Sequence, residues 1–236
     1  MTNKQNFLIA KFGEKEHLEQ LQRGEIFFNA IQSYRNDGTD YRGDSMEGRI
    51  PIDPQKIKIF DEKGKDIFER LPRPKTAIQS LLGDENLMMF CASAISMEIL
   101  IQNENQGWNF KEEFKKNIKN FGKYVLVLSS LELLEHIEKA EDESRQKINF
   151  DSGIILYRDL TDFEHTGEYR TTGSPLDRYF VKGLDYKNQN EWRVIVDGEK
   201  RSLETNCGSG LLLKTPPLKY TMLMKTEELL NSEIRF

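Results

Sequence analysis

Short apolar runs, bounded by glycine or polar residues, recur along the whole chain. The runs Phe7–Phe12, Glu25–Ala30 and Leu87–Cys91 have the length and the boundaries that are typical of strands. Leu87–Cys91 is the most apolar of them, and we expect it to be a central strand. Strands are also predicted over Lys56–Phe60, Lys123–Leu128, Gly153–Tyr157, Glu191–Val196, Gly210–Lys214 and Tyr220–Met224.

Helical spacing appears in other segments. Leu18 and Leu21 are spaced for one face of a helix over Glu14–Arg23, and Gly24 follows where glycine commonly ends a helix. Helices are also predicted over Met97–Asn103, Phe110–Phe121 and Leu131–Lys147, with a short helical tail after the last strand. Because strands and helices do not alternate cleanly, the order favours an α+β architecture over a doubly wound α/β sheet. The chain has neither G-x-G-x-x-G nor a P-loop, which argues against the usual Rossmann and NTPase folds.

Length and composition narrow the class of protein. The 236 residues are 37% hydrophobic and 31% charged, which is enough for a real core, and we expect one domain over residues 1–236. The formal net charge of -5 argues against a general nucleic-acid binder. Neither a signal peptide nor a run of about 20 apolar residues is evident, so we expect a cytoplasmic protein with no membrane association.

Cysteine and histidine usage gives little sign of cross-links or metal. Cys91 and Cys207 are too few and too far apart for a disulfide framework, and Cys91 lies in an apolar run that predicts a buried thiol. The histidines, His17, His136 and His165, are far apart, and none has a second ligand at metal spacing. We therefore expect no metal site.

The segment around Trp192 carries the candidate chemistry. Side chains alternate between the two faces of a strand, so Trp192, Val194 and Val196 share an apolar face that we expect in the core. The opposite face carries three polar residues, Gln189, Glu191 and Arg193. An amide and a carboxylate, two residues apart, are therefore predicted to point the same way.

The spacing Gln189-Asn190-Glu191 resembles the Q-x-E signature of ADP-ribosyltransferases. The resemblance implies that NAD is the substrate and that Glu191 is catalytic. In that family the glutamate holds the 2′-hydroxyl of the nicotinamide ribose and stabilises the positive charge that develops as nicotinamide leaves, which a fixed carboxylate can do. It also implies that Gln189 orients the acceptor.

Further features are similar to the same family. Lys11 on the first strand stands where the family has an arginine or histidine that meets the dinucleotide, and Ser93 ends the central strand where the family has a Ser-Thr-Ser run. The resemblance therefore assigns both to NAD binding and implies a mixed, split β-sheet with packed helices, an ADP-ribosyltransferase-like fold. The polar loop Tyr34–Gly48 adds further candidates for the pocket, Tyr34, Arg35 and Arg42, since arginine suits diphosphate geometry.

A broader pattern, KFG…HLEQLQRGEIFFN…YRN…RGDSMEG with the late NEWRVIV, is similar to bacterial proteins encoded near phage-defence and toxin genes. We therefore expect a mono-ADP-ribosyltransferase that acts on a macromolecular acceptor, either protein, RNA or DNA, as a defence or toxin effector. An inhibitory partner protein would restrain such an activity.

Two other classes of function stay open. One is a non-catalytic binding or sensor module of a defence system, in which Glu191 and Arg193 would be the solvated face of an edge strand. The other is a metal-dependent nuclease, in which Asp44, Glu47 and Glu191 would converge on Mg²⁺ beside Lys182.

Overall fold

The computed structural model describes residues 6–39, 42–80, 83–84, 87–144, 150–162, 174, 176–197 and 210–235. The strands are β1 Leu8–Gly13, β2 Glu25–Ala30, β3 Ile50–Ile52, β4 Ala77–Gln79, β5 Leu87–Ala94, β6 Leu100–Gln102, β7 Trp108–Phe110, β8 Tyr124–Ser129, β9 Phe150–Ile154, β10 Leu156–Arg158, β11 Val181–Gly183, β12 Glu191–Asp197, β13 Gly210–Lys214 and β14 Thr221–Lys225. The α-helices are α1 Lys15–Gln22, α2 Ile31–Asn36, α3 Glu112–Ile118, α4 Ser130–Ser144 and α5 Thr226–Leu230. Short 3-10 helices include Pro54–Lys56, Met97–Ile99, Asp177–Phe180 and Leu184–Gln189.

A large sheet lies at the centre of the fold. Its strands follow the order β13-β2-β5-β1-β8-β14, and β12 and then β9 are added beside β5. The α+β prediction is confirmed. The sheet itself differs from the mixed one expected, because the pairings described within it are antiparallel and the parallel pair is the separate β10–β11. The predicted central strand is confirmed as β5, which pairs with β1, β2 and β12.

The sheet splits along one edge of β5. β12 pairs with the opposite edge along all but the last residue of β5. Two strands share the remaining edge, because β2 pairs with Met88 and Met89 while β1 pairs with Ser93 and Ala94. Between these pairings, in the described part of the chain, β5 has no strand partner on this edge. The strands β1 and β2 therefore diverge and leave an opening beside Phe90–Ala92.

Helices cover both faces of this sheet. On one face α1 and α4 pack Leu18 and Leu134 into a cluster that includes Trp192 of β12. On the other face α3 and α5 pack Phe114 and Leu229 against β1 and β8. Burial of apolar area at about 25 cal/mol per Å² is what holds such layers together. The two layers fix the positions of β1, β5 and β12, which border the opening.

Several sequence predictions are confirmed. The helix predicted over Glu14–Arg23 is α1, and Gly24 follows it in the left-handed region with a φ of +89°. The helix predicted over Leu131–Lys147 is α4 as far as Ser144, and its last three predicted residues lie outside the described part of the chain, as do Cys207 and His165. Within the described residues, no helix combines the length and the apolarity that crossing a membrane requires.

The predicted strand Lys56–Phe60 is wrong. Pro54–Lys56 forms a 3-10 helix that the side chain of Asp53 caps, and Phe60 makes only an isolated bridge with Asp66. Asp before Pro is a strong local signal for a helical turn, because aspartate accepts a free N–H and proline presets φ. That signal outweighs the alternation of lysine and apolar residues.

Two other predicted elements are also corrected. Only Met97–Ile99 of the predicted helix Met97–Asn103 is helical, as a 3-10 turn capped by Ser96, and the chain then continues as β6. The predicted strand Gly153–Tyr157 is interrupted after β9, because β9 pairs with β12 and β10 pairs with β11. β6 forms a hairpin with β7, whereas β9 and β10 pair with strands far along the chain, and local periodicity encodes neither kind of partner.

Candidate functional site

A cleft of about 680 Å³ opens where β1 and β2 diverge beside β5. Volumes of a few hundred to about 1,000 Å³ are typical of small-molecule sites. The cleft brings together most of the residues singled out from the sequence, namely Lys11, Tyr34, Arg42, Ser93, Gln189 and Glu191. These residues come from five separate stretches of the chain, so the split of the sheet is what makes them neighbours.

Glu191 is the first residue of β12 and directly follows Asn190, whose backbone conformation is unusual. Asn190 has φ 45° and ψ 52°, a left-handed conformation that asparagine tolerates better than most residues. Its side-chain amide donates to the Ala94 carbonyl at 2.6 Å and to Ser96 Oγ at 2.9 Å. These bonds hold the end of β5, and in the resulting register Glu191 lies opposite Ser93.

Gln189 lies on the other side of that turn. It ends the 3-10 helix Leu184–Gln189 and is not on the strand, which corrects the predicted strand face. Its side chain nevertheless lies close to that of Glu191, because Lys182 Nζ donates to Gln189 Oε1 at 3.2 Å and to Glu191 Oε2 at 3.0 Å. The amide and the carboxylate of the Q-x-E spacing therefore share one cation.

The Glu191 carboxylate is 6% exposed and is held at both oxygens. Oε1 accepts from Arg193 Nε at 2.5 Å, and Oε2 accepts from Lys182 Nζ at 3.0 Å. Burial by itself would raise the pKa of the Glu191 carboxyl, but the charges of Arg193 and Lys182 outweigh burial and hold that pKa well below its ordinary value. Glu191 is therefore an anion over the physiological range.

Arg193 joins Glu191 to the polar loop. Its guanidinium donates to Glu47 Oε1 at 2.5 Å and to Glu47 Oε2 at 2.7 Å, and Nη1 also donates to the Tyr179 carbonyl at 2.6 Å. The exposed fractions are 0% for Arg193 and 1% for Glu47. The solvated strand face considered for Glu191 and Arg193 is therefore wrong, since both charges are buried and paired.

Lys11 lies at the split of the sheet. Its Nζ donates to the Cys91 carbonyl at 2.6 Å and lies 4.7 Å from the centre of the Phe90 ring. Burial lowers the pKa of the Lys11 ammonium, and the nearby positive charge of Arg42 acts in the same direction. The side chain thus reaches across the gap in the strand pairing and borders the cleft.

Tyr34 and Cys91 form the cleft wall beside Glu191. Tyr34 lies on α2, so the predicted loop Tyr34–Gly48 begins inside a helix. Tyr34 and Cys91 also pack against the same buried cluster. Burial raises the pKa of both groups, that of Cys91 to about 12, and the negative charge of Glu191 acts in the same direction. Both groups are therefore neutral near the carboxylate.

The two arginines of the polar loop have different positions. Arg42 is exposed, borders the cleft and donates to the carbonyl of Phe121, above whose ring its guanidinium also lies. Arg35 is not part of the lining. Its guanidinium donates to both carboxylate oxygens of Asp84 at 3.0 and 2.6 Å and to the Glu47 carbonyl at 2.9 Å. Arg35 therefore holds the loop and is not available to the cleft.

The carboxylates considered for a nuclease do not form an open metal site. Arg193 contacts both Glu47 and Glu191, and Lys182 lies 3.0 Å from Glu191 and 3.9 Å from Glu47. Cations thus occupy the space between the two acids, and the four charges balance. The Asp44 carboxylate accepts from a backbone N–H of its own turn. In the described ranges no group of three or more His, Cys, Asp or Glu side chains is arranged to hold a metal ion.

Part of the cleft was not predictable from the sequence. α1, β2 and β13 contribute His17, Phe27 and Leu212 to the lining of the cleft. Nothing in these segments signals a site, since each has the ordinary pattern of a helix or strand that packs on a core. They border the cleft only because β2 diverges from β1.

Comparisons with known proteins do not identify a relative. A scan against protein-family models finds no match, and neither does a search of curated proteins or of solved structures.

Proposed function

We propose that the cleft binds NAD⁺ and that the protein transfers ADP-ribose from it to a macromolecular acceptor. The observation that supports this most is the meeting of residues from distant segments at one cleft. Gln189 and Glu191 border it together with Ser93 and Lys11, in the roles that the resemblance to ADP-ribosyltransferases assigns. A chance Q-x-E would have no reason to lie at a split in the sheet beside the other two.

The residues of the cleft suit a dinucleotide. Its volume of about 680 Å³ is in the range of cofactor-sized ligands. Phe27 and Tyr34 offer aromatic surface for planar rings, and Lys11 and Arg42 offer positive charge for phosphate oxygens. No single residue among these is diagnostic, but apolar walls with a few converging polar groups are what such ligands need.

The proposed reaction breaks the bond between ribose C1′ and the nicotinamide nitrogen. Nicotinamide leaves with the bonding electron pair, C1′ bonds to the acceptor nucleophile, and the proton of the nucleophile passes to solvent. Glu191 would stabilise the positive charge on the ribose, because a fixed carboxylate in a water-poor site needs no reorganisation as charge develops. Each oxygen of a carboxylate has two lone pairs, so contacts with Arg193 and Lys182 leave Glu191 able to accept from a ribose hydroxyl.

The test is nicotinamide release from NAD⁺ by the purified protein, with cell lysate as the source of acceptor. We expect release, and we expect Glu191→Gln to lower it by on the order of 100-fold or more. Glu113→Gln makes the same change at an exposed position on α3 and serves as the matched control. Absence of release by the wild type, together with no rise in thermal stability when NAD⁺ is added, rejects the proposal.

A second candidate is a non-catalytic ligand-binding function of the same cleft. The observation that favours it is the pairing of Glu191 with two buried cations, which also suits a purely structural ion cluster. This function predicts that NAD⁺ or a related nucleotide raises the thermal stability of the protein without releasing nicotinamide. Release of nicotinamide therefore distinguishes the two candidate functions, whereas binding of NAD⁺ is expected for both.

A further inference from the structure

Lys182 occupies the centre of the charge cluster beside the cleft. It lies on β11, whose parallel pairing with β10 places Lys182 next to Tyr157. Its side chain is 4% exposed, and its ammonium lies 4.6 Å from the centre of the Tyr186 ring. Burial would lower the pKa of this ammonium, but the negative charges of Glu191 and Glu47 together outweigh burial and the pKa is raised. Lys182 is therefore a permanent cation.

The contacts of Lys182 are divided between the two members of the Q-x-E spacing. One ammonium proton goes to Glu191 Oε2 at 3.0 Å and another to Gln189 Oε1 at 3.2 Å. An ammonium only donates, so this contact decides that the oxygen end of the Gln189 amide faces Lys182. The rotation of Gln189 is thereby set by the same group that holds Glu191.

Glu191 is also clamped from two sides. Arg193 holds Oε1 and Lys182 holds Oε2. The last side-chain torsion of glutamate is broad and has little intrinsic preference, so the carboxylate plane is free to turn when one clamp is absent. Arg193 also donates to both carboxylate oxygens of Glu47. Glu47 lies 3.9 Å from the Lys182 ammonium, whose hydrogen bonds go to Gln189 and Glu191.

We propose that Lys182 is a positioning residue that holds the Gln189 amide and the Glu191 carboxylate at one spacing and orientation, an inference that rests on the proposed function. It acts through these two side chains and makes no bond to the reacting atoms. Its removal therefore affects the chemical step more than the binding of NAD⁺.

The experiment is a double-mutant cycle on nicotinamide release. Lys182→Met removes the ammonium and keeps an unbranched buried side chain, and it is measured in the wild-type and in the Glu191→Gln backgrounds. In the wild-type background we expect kcat to fall on the order of 100-fold, as small misplacements of reacting groups do. The KM for NAD⁺ should stay within about threefold, because the ammonium of Lys182, although it borders the cleft, directs its hydrogen bonds to Gln189 and Glu191. In the Glu191→Gln background the same change should have a much smaller effect, because only the hold on the Gln189 amide remains to be lost.

Two controls keep the outcomes distinct. Lys187→Met changes an exposed lysine of the neighbouring 3-10 helix and should leave kcat unaltered. If circular dichroism shows that Lys182→Met is unfolded, Lys182→Arg takes its place in the cycle, since it keeps the charge but moves the donors, and the same pattern is expected.

Each result decides between the two proposals. An equal loss in both backgrounds means that Lys182 acts independently of Glu191 and overturns the positioning role, as does an undiminished kcat in the folded variant. No release by the wild-type protein rejects the transferase itself, and the positioning role with it.

Discussion

Asn190 and Ala94 are joined by two hydrogen bonds at the end of the central strand. The side-chain amide of Asn190 donates to the Ala94 carbonyl at 2.6 Å, and the Ala94 N–H donates to the Asn190 carbonyl at 2.8 Å. Because Asn190 immediately precedes Glu191, this pair determines where the carboxylate enters the cleft. The left-handed conformation of Asn190 is what makes both bonds possible.

Substitution of Asn190 separates its backbone role from its hydrogen bonds. Asn190→Gly keeps the left-handed conformation accessible and loses the side-chain hydrogen bonds to the Ala94 carbonyl and Ser96 Oγ. We expect this loss to lower the free energy of unfolding by about 1–2 kcal/mol. Asn190→Ala loses the same bonds and adds a left-handed strain of about 1–2 kcal/mol. Urea denaturation should therefore rank alanine below glycine. Equal stability of the two variants would mean that the backbone conformation carries no strain.

Arg193 should be the most sensitive residue of the charge cluster. Arg193→Met leaves the buried carboxylates of Glu47 and Glu191 without their main partner, which should destabilise the fold by about 3–5 kcal/mol. Arg235→Met removes an arginine that pairs with Glu233 but is 78% exposed, and it should change stability by less than about 0.5 kcal/mol. Chemical denaturation measures both. A small effect at Arg193 would show that the cluster is solvated in solution.

Acid should weaken the contribution of Glu191 to stability. The folded-state pKa of this group lies below the ordinary glutamate value of 4.5, so its contribution is complete above that pH and is lost as the pH falls through the folded pKa. The difference in unfolding free energy between the wild type and Glu191→Gln should thus be constant above pH 4.5 and shrink below it. A difference that grows on acidification would contradict the depressed pKa.

Gly48 connects the loop to the core through close contact with an aromatic ring. A Cβ at this position would lie 2.1 Å from Tyr179 Cε1, and the φ of Gly48 is +64°. Gly64 has a similar φ of +73° but open space around it, which makes Gly64→Ala a matched control for the conformational strain alone. We expect about 1–2 kcal/mol of destabilisation for Gly64→Ala and a further 1–3 kcal/mol for Gly48→Ala. Thermal and urea unfolding of the two variants provide the comparison.

The Cys91 thiol should react slowly in the folded protein. Its pKa is raised to about 12 by burial and by the Glu191 charge, and the thiolate is the reactive form. Iodoacetamide at pH 8 should therefore alkylate Cys91 on the order of 1,000-fold more slowly in the native than in the denatured protein. A Cys207→Ser background removes the second thiol from the assay. Rapid native alkylation would show that Cys91 is a thiolate, and that its partners are not those described.

The alternation of apolar and polar residues predicts much of the large sheet but few of the short strands. β12 was predictable because Trp192 and Val194 alternate with residues of the other face, a period that any strand with a buried face must show. β3, β4, β6 and β7 are three residues long and carry no such period. They are strands only because a partner supplies their hydrogen bonds, and the apparent strand Lys56–Phe60 lacks such a partner over most of its length.

The candidate site likewise has features that the sequence indicated and features that only the tertiary structure determines. The nearness of Gln189 and Glu191 follows from their spacing along the chain, and the sequence alone indicated both. The buried surroundings of these two side chains depend on Lys182 and on Glu47. Glu47 binds Arg193, although the two residues are 146 positions apart in the chain. Alternation and spacing are properties of the local backbone, whereas the partner of a buried charge depends on where distant segments come to lie. The cleft itself arises because β1 and β2 share one edge of β5, a choice that no single segment encodes.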